Sequence, residues 1–475
     1  MLKKINTFLL YCLVFLIPFN IRYIFNFDST KNLSLFKEQY LIFLNLFDII
    51  FIFFLLGFLW SEHQHLFSAP KKKIKNLSQN PLFYFFLWIT ISLFLADPSN
   101  FFSRFNLYKI FRFSELFLFF VLSRYFLRQY TILTYTKFII FTAGVFQSFL
   151  AIWQFIQQKS LGLFWLGESH LGPQILGLAR FEFGGEKFIR AYGTFPHPNV
   201  LGIFLVFSLA SGFSLIISKK NLFKQLRWPY KFLFLLELLS IFIALLLTYS
   251  RTAIGLSLLI IIPFLYQEKN RLWQTYQKFC RKIKVPAFLR TTLAISLGLG
   301  SLFLIYNLIA PRLCFQCPHD KSLFFRKIYR ASAQEIIKEH PLTGVGLGNF
   351  ITTEKQIIQE QVSSWRIQPV HNLYLLITAE LGWPGLALFI LSIIFYLRPN
   401  FSLASLKKHP LKLFFIVVLL AAFLDHYFWT ISQGQKIFWL ALALTSLPEE
   451  QKQDSSKYHF SYLIIKVRKI IRELS

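Results

Sequence analysis

Apolar runs of membrane-spanning length recur from one end of this chain to the other, and short basic blocks separate them. Twelve such segments can be drawn: 5–24, 40–60, 81–96, 113–127, 138–156, 199–217, 232–249, 252–266, 291–309, 372–396, 411–428 and 434–448. A helix needs about 20 apolar residues to cross a hydrocarbon core. A water-soluble fold has no interior large enough for this many runs, and 55% hydrophobic against 15% charged residues points the same way. The expected fold is an all-α polytopic membrane protein of about 12 transmembrane helices. It forms a single integral membrane domain over residues 1–475. Segments 252–266 and 434–448 are the shortest.

The basic blocks give the orientation. With the N-terminus inside, the inner connections hold Lys71, Lys72, Lys73 and Lys75, then Lys219, Lys220 and Lys224, then the run from Lys269 to Arg290, then Lys407, Lys408 and Lys412. Basic residues gather on the cytoplasmic side of membrane proteins, so both termini are expected there, with 449–475 as a basic cytoplasmic tail. Lys and Arg number 51 against 22 Asp and Glu, a formal charge of +29. In short blocks between apolar runs, that charge suits contact with anionic membrane lipids, and no nucleic-acid partner is expected. The N-terminus resembles a signal peptide, but no small-x-small cleavage site follows it, and Tyr11 before Cys12 is too bulky for lipoprotein processing. It reads as a retained first span. Two long connections fall outside, 157–198 and 310–371, the second between spans 9 and 10. Long loops in a compact chain usually carry function.

Three segments put an ionisable residue at the outer edge of an apolar run. The first is Arg190-Ala-Tyr-Gly-Thr-Phe-Pro-His-Pro-Asn199, where Asn199 can cap the following helix. The second is Thr248-Tyr249-Ser250-Arg251-Thr252, a tight hairpin in which Arg251 offers a planar fork to a phosphate. Snorkelling to lipid phosphate is the plainer alternative. The third is His371-Asn372, opening a segment interrupted by Gly382, Pro384 and Gly385. Unbroken, it would exceed the bilayer core, so a break near Pro384 is expected. Histidine can exchange a proton near neutral pH. Arg190, Arg251 and His371 are thus the candidate catalytic residues, on one face of the membrane.

A fourth segment, His340-Pro-Leu-Thr-Gly344-Val-Gly346-Leu-Gly348-Asn349-Phe350, lacks the strand–helix setting of a dinucleotide loop. Its glycines can present backbone N–H groups to a phosphate, or simply turn the chain. Candidate substrate-binding residues are Asn199, Asn372, Tyr249, Ser250, Gly346, Gly348 and Asn349, and Asp425 with His426 is a helper pair. Glu380 lies nine residues past His371, which on a straight helix points it to the other side; Glu115 and Glu237 have no evident partner. Cys314 and Cys317 form a lone C-x-x-C, most simply a local disulfide, with free thiols or a metal site as alternatives.

In this order, the Arg190–Asn199 run with Gly202, Ser250-Arg251-Thr252, His340–Phe350, and His371-Asn372 through Glu380-Leu-Gly382 resemble the O-antigen ligase family. That family comprises O-antigen ligases, some O-antigen polymerases and protein O-oligosaccharyltransferases. The resemblance implies a glycosyltransferase-C-like fold in the bacterial cytoplasmic membrane. It implies transfer of a glycan from undecaprenyl-pyrophosphate to a hydroxyl of a glycan, lipid or protein acceptor. The arginines would hold the pyrophosphate, His371 would be the general base, and no cofactor or metal would be needed. Fixed arginines would stabilise the charge of the leaving group, and inversion at the anomeric carbon is the expected stereochemistry. Ligase, polymerase and protein glycosylation remain open. A lipid-linked glycan flippase or transporter and a non-enzymatic envelope-assembly scaffold are the competing classes.

Overall fold

The computed structural model describes residues 2–25, 41–67, 79–99, 101–218, 227–282, 321–358, 367–398 and 409–447, with short pieces at 285–286, 289–292, 296, 402 and 405–406. The C-x-x-C at Cys314 and Cys317, most of the apolar segment 291–309 and the basic tail lie outside these residues.

The fold is mostly helical. In chain order the helices are α1 (Leu2–Leu16), α2 (Leu46–Phe67), α3 (Pro81–Ala96), α4 (Arg104–Leu127), α5 (Tyr130–Gln157), α6 (Pro198–Ser218), α7 (Trp228–Leu247) and α8 (Arg251–Lys282). Further along come α9 (Lys321–Glu339), α10 (Phe350–Ile357), α11 (Leu373–Leu397), α12 (Pro410–Ala421), α13 (Tyr427–Thr430) and α14 (Ser432–Thr445). Several starts follow from local chemistry. Asn80, Ser103 and Asn372 each accept a first-turn N–H of the helix that follows, and Pro81 follows Asn80 where no N–H is needed.

Among the described residues, five helices are long and apolar enough to cross a membrane: Tyr130–Gln157, Pro198–Ser218, Pro229–Leu247, Arg251–Arg271 and Leu373–Leu397. This is a multi-pass membrane protein. The expected first segment, 5–24, divides. Its helix ends at Leu16, and Arg22–Ile24 (β1) pairs antiparallel with Phe43–Asn45 (β2). Fifteen helical residues span about 22 Å, less than a hydrocarbon core. The connection 157–198 holds a second ribbon, Arg180–Phe183 (β3) with Glu186–Ile189 (β4), turned by Gly184 and Gly185 at positive φ. The fold is therefore not purely α. Apolar periodicity does not reveal such short ribbons, because each has only three or four residues per strand.

α6 is the axis of the bundle. Seventeen of its residues are buried, all round the helix, as expected of a helix enclosed by others rather than by lipid on one side. It packs on α5, α7, α8 and α12. α7, by contrast, exposes Leu233, Leu235, Leu236 and Leu239, a face suited to lipid. Burial of charge is paired: Arg112 of α4 meets Asp48 at 2.6 Å and Glu115 at 2.9 Å. Glu115 thus has the partner that its own segment did not suggest.

α11 breaks as expected, at Gly382, whose φ of +69° and ψ of 180° interrupt the helix two residues before Pro384. The glycine-rich turn fills that break. Val345 N donates to Ala379 O at 3.0 Å, Gly346 N to Glu380 O at 2.8 Å, and Trp383 N to Pro341 O at 2.9 Å. A β-carbon on Gly382 would overlap the Leu342 carbonyl, and one on Gly344 would overlap the Glu380 backbone.

Candidate active site

The site begins at the Arg190–Asn199 run. Arg190 is buried, and Ala191 N donates to Leu247 O at 3.0 Å, which ties the run to the end of α7. The Arg190 guanidinium is held at two points. Nε donates to the Thr248 carbonyl at 2.6 Å, and Nη2 donates to Asn199 Oδ1 at 2.7 Å. The hairpin that supplies Thr248 also presents Arg251 at the start of α8. Its close approach to α6 needs Gly202, where a β-carbon would come 2.8 Å from Ala253 Cβ. Two arginines 61 positions apart in the chain are thereby tied to one hairpin.

Asn199 carries the network on. Its Nδ2 donates to Asp425 Oδ2 at 3.0 Å. The other carboxylate oxygen, Asp425 Oδ1, lies 3.3 Å from His371 Nδ1 and accepts the His426 backbone N–H at 2.9 Å. His426 Nδ1 in turn meets Thr430 Oγ1 at 2.7 Å. The outcome is a continuous hydrogen-bonded chain, Arg190–Asn199–Asp425–His371, with a branch through His426 to Thr430. It joins the start of α6, the start of α11 and the α12–α13 connection.

The electrostatics sort the histidines. Burial alone would push the Asp425 carboxyl up. The electrostatic attraction of the neighbouring His371 and the hydrogen bond to it outweigh that and hold the group well below the usual carboxylate range. Burial pushes His426 down to about 3, and His371 and Arg326 add to the shift. Burial, then Arg190, pushes His197 down to about 3 as well. Asp425 is accordingly an anion, and the imidazoles of His197 and His426 are neutral.

Two groups escaped the sequence reading. Tyr329 of α9 lies over His371, with ring centroids 6.3 Å apart and 28° between planes. Arg326, one turn earlier, acts electrostatically on His426 and has no carboxylate within ion-pair distance among the described residues. The only sequence signal for either was their position in a long outer segment.

The remaining candidates are used locally. Asn372 Oδ1 caps α11 by accepting Leu375 N, and Ser250 Oγ accepts Ala253 N at 3.4 Å. Tyr249, at φ +47°, stacks its ring on Phe181 of β3 with 3.8 Å between centroids. The Gly346 and Gly348 amides are taken by Glu380, at its carbonyl and its carboxylate respectively. Asn349 accepts from Lys109 Nζ at 2.6 Å and donates to Val345 O. None of these six hydrogen-bonds to the Asp425–His371 pair. Glu380, as its position on α11 suggested, does not meet His371; it accepts Trp429 Nε1 at 2.8 Å.

His371, Asp425 and His426 also have ligand atoms within 4.8 Å of one another, a spacing at which three side chains can share a cation. Asp425 already accepts from Asn199 and from the His426 backbone. The donor set therefore serves a hydrogen-bond network as it stands.

Residues 236–390 match the model of the O-antigen ligase family, so the resemblance read from the sequence holds over that stretch. Arg251, Arg326 and His371 lie inside the match; Arg190, Asn199 and Asp425 lie outside it and join it only through the fold. The match supports a membrane protein that transfers glycans, as a ligase or polymerase, with lipid-linked glycan and acceptor as its general substrates. No curated protein matches the chain.

Proposed function

We propose that this chain, with its O-antigen ligase domain at residues 236–390, transfers a glycan from undecaprenyl-pyrophosphate to an acceptor hydroxyl. The reaction would take place at the outer face of the bacterial cytoplasmic membrane, in a bundle of about 12 spans with both termini in the cytoplasm. The observation that carries the reading is the Arg190–Asn199–Asp425–His371 chain, which couples a cation to a base through two fixed hydrogen bonds and one longer contact.

In this reading His371 gives its Nδ1 proton to the bond with Asp425, which leaves Nε2 to take the proton of the acceptor hydroxyl. The 3.3 Å separation is long for a hydrogen bond, and such contacts commonly tighten once substrate is bound. The acceptor oxygen attacks the anomeric carbon from the side opposite the carrier. The new C–O bond forms as the bond to pyrophosphate breaks, with inversion, and the carrier pyrophosphate leaves as an anion. Arg190 and Arg251 stabilise that charge. Arg190 is suited to this because Thr248 and Asn199 fix its fork before substrate arrives. Asp425 stabilises the imidazolium that forms at His371. The chemistry needs no cofactor or metal ion.

The deciding experiment is glycan transfer by purified protein in reconstituted membranes with a metal chelator present. Lipid A–core, carrier-linked glycan and a Ser-rich peptide would be offered as acceptors. Product on one acceptor, lost in His371→Ala at normal abundance, supports the reading and names the acceptor class. No product on any acceptor, with labelled donor crossing between leaflets, would replace it with a flippase.

A further inference from the structure

The branch through His426 ends at a second feature. Thr430, whose Oγ1 meets His426 Nδ1 at 2.7 Å, lines a cavity of about 110 Å³ between α4, the glycine-rich turn and α13–α14. Its walls include Tyr108, Lys109, Arg112, Gly348, Trp429 and Gln435. Most of the charge there is already matched. Arg112 is paired with Asp48 and Glu115. The Glu380 carboxylate accepts Trp429 Nε1 and the Gly348 and Phe350 amides. Lys109 is different: its Nζ is hydrogen-bonded only to the side-chain carbonyls of Asn349, at 2.6 Å, and Asn106, at 3.4 Å, while the Glu380 and Asp97 carboxylates act on it only from a distance. No carboxylate lies within ion-pair distance of it among the described residues.

A partly buried ammonium satisfied only by amide oxygens attracts an anion, and an anion can displace or join those amides. The remaining walls are aromatic, with Phe43, Phe105, Phe113 and Trp429 around the charge. Flat apolar rings beside a cation and hydroxyl partners suit the face of a sugar ring better than an isolated small anion. The cavity also lies at the far end of the hydrogen-bonded chain from Arg190. A sugar bound there would lie on the Thr430 side of the network, away from its Arg190 end.

We infer that this cavity is an acceptor subsite for a saccharide unit bearing an anionic group, carboxylate or phosphate, with Lys109 as its counter-ion. The assignment to the acceptor rests on the transfer reading above; the preference for an anionic sugar does not. The subsite would select among acceptors by charge, one unit away from the hydroxyl that reacts.

The test is equilibrium binding to the full-length protein in nanodiscs, read by saturation-transfer NMR. Three disaccharides of equal length would be compared: one ending in glucuronate, one carrying a terminal phosphate, and one neutral. We expect wild type and His371→Ala to bind at least one anionic disaccharide about tenfold or more tightly than the neutral one, and the tighter of the two identifies the group. Lys109→Gln should lose the preference while Lys109→Arg keeps it, which separates charge recognition from the packing of the glycine-rich turn. Equal binding of all three disaccharides by wild type, or a preference retained in Lys109→Gln, would overturn the subsite. A preserved preference in a protein that transfers no glycan would leave the subsite standing and remove the transfer reading.

Discussion

Asn199 donates its side-chain amide to Asp425 Oδ2 at 3.0 Å across 226 positions of sequence, while its own oxygen accepts from Arg190 at 2.7 Å. One amide therefore fixes the cation and the acid of the site together. Its two ends have opposite polarity, so no other side chain of similar size can replace both bonds. We expect Asn199→Asp to be worse than Asn199→Ala, because it puts a second carboxylate against Asp425. Transfer should fall by about 10²–10³ in Asn199→Asp, the scale of losing one preorganised donor. Equal activities in the two variants would show that the bridge does not set the geometry.

Asp425→Asn keeps shape and removes charge. If Asp425 orients His371 and supports its protonated form, turnover should drop by up to about 10⁴ with little change in donor affinity. Protein abundance is the control. A variant that retains wild-type turnover would remove Asp425 from the reaction and with it the assigned tautomer of His371.

Arg190→Lys and Arg251→Lys test the fork. Lysine is a point charge on a flexible stem and cannot reproduce the two anchored bonds of Arg190 to Thr248 and Asn199. We expect both variants to be severely impaired in turnover. An Arg251→Lys protein as active as wild type would instead favour simple lipid contact at that position.

Gly382→Ala should fail at folding rather than at chemistry. Its φ of +69° is strained for alanine, by about 1–3 kcal/mol, and the new methyl would overlap the Leu342 carbonyl. We expect low abundance in membranes and a lowered melting temperature. Normal levels of an inactive protein would mean that the break at Gly382 serves the reaction directly.

Glu354 predicts a pH effect of definite sign. It is fully buried in α10, neither carboxylate oxygen has a hydrogen-bond partner among the described residues, and burial raises its pKa to about 9. The folded state therefore keeps a proton that the unfolded chain releases above its ordinary value of 4.5. Its contribution is most favourable below that value, and stability is lost progressively as pH rises toward 9. Glu354→Gln, which cannot ionise, should raise the melting temperature at pH 8 and change it little at pH 4. A stabilisation of equal size at both pH values would rule out ionisation as the cause.

Much of this organisation could be read along the chain, because it depends on neighbours. Apolar runs mark helices, Asn372 marks where α11 starts, and Gly382 with Pro384 marks where it cannot continue. Arg190, Arg251 and His371 were visible for the same reason, each a charged or titratable group at the edge of an apolar run. The short ribbons were not visible, since three or four residues per strand carry no usable period. Nor were the uses of Gly346, Gly348 and Tyr249, whose partners are chosen by packing.

What the linear order fixes is which groups stand at the membrane edge. What it leaves open is which of them touch. Asp425 follows His371 by 54 residues and Asn199 by 226, and only the packing of α6 against α12, with the Leu373 amide bound to the Ala422 carbonyl at 2.8 Å, brings the three into one network. Lys109 shows the same division. Its charge is evident in the sequence, but whether a carboxylate neutralises it depends on which helix packs beside α4. Hydrogen bonds and ion pairs act over about 3 Å, so they are set by how helices pack rather than by distance along the chain.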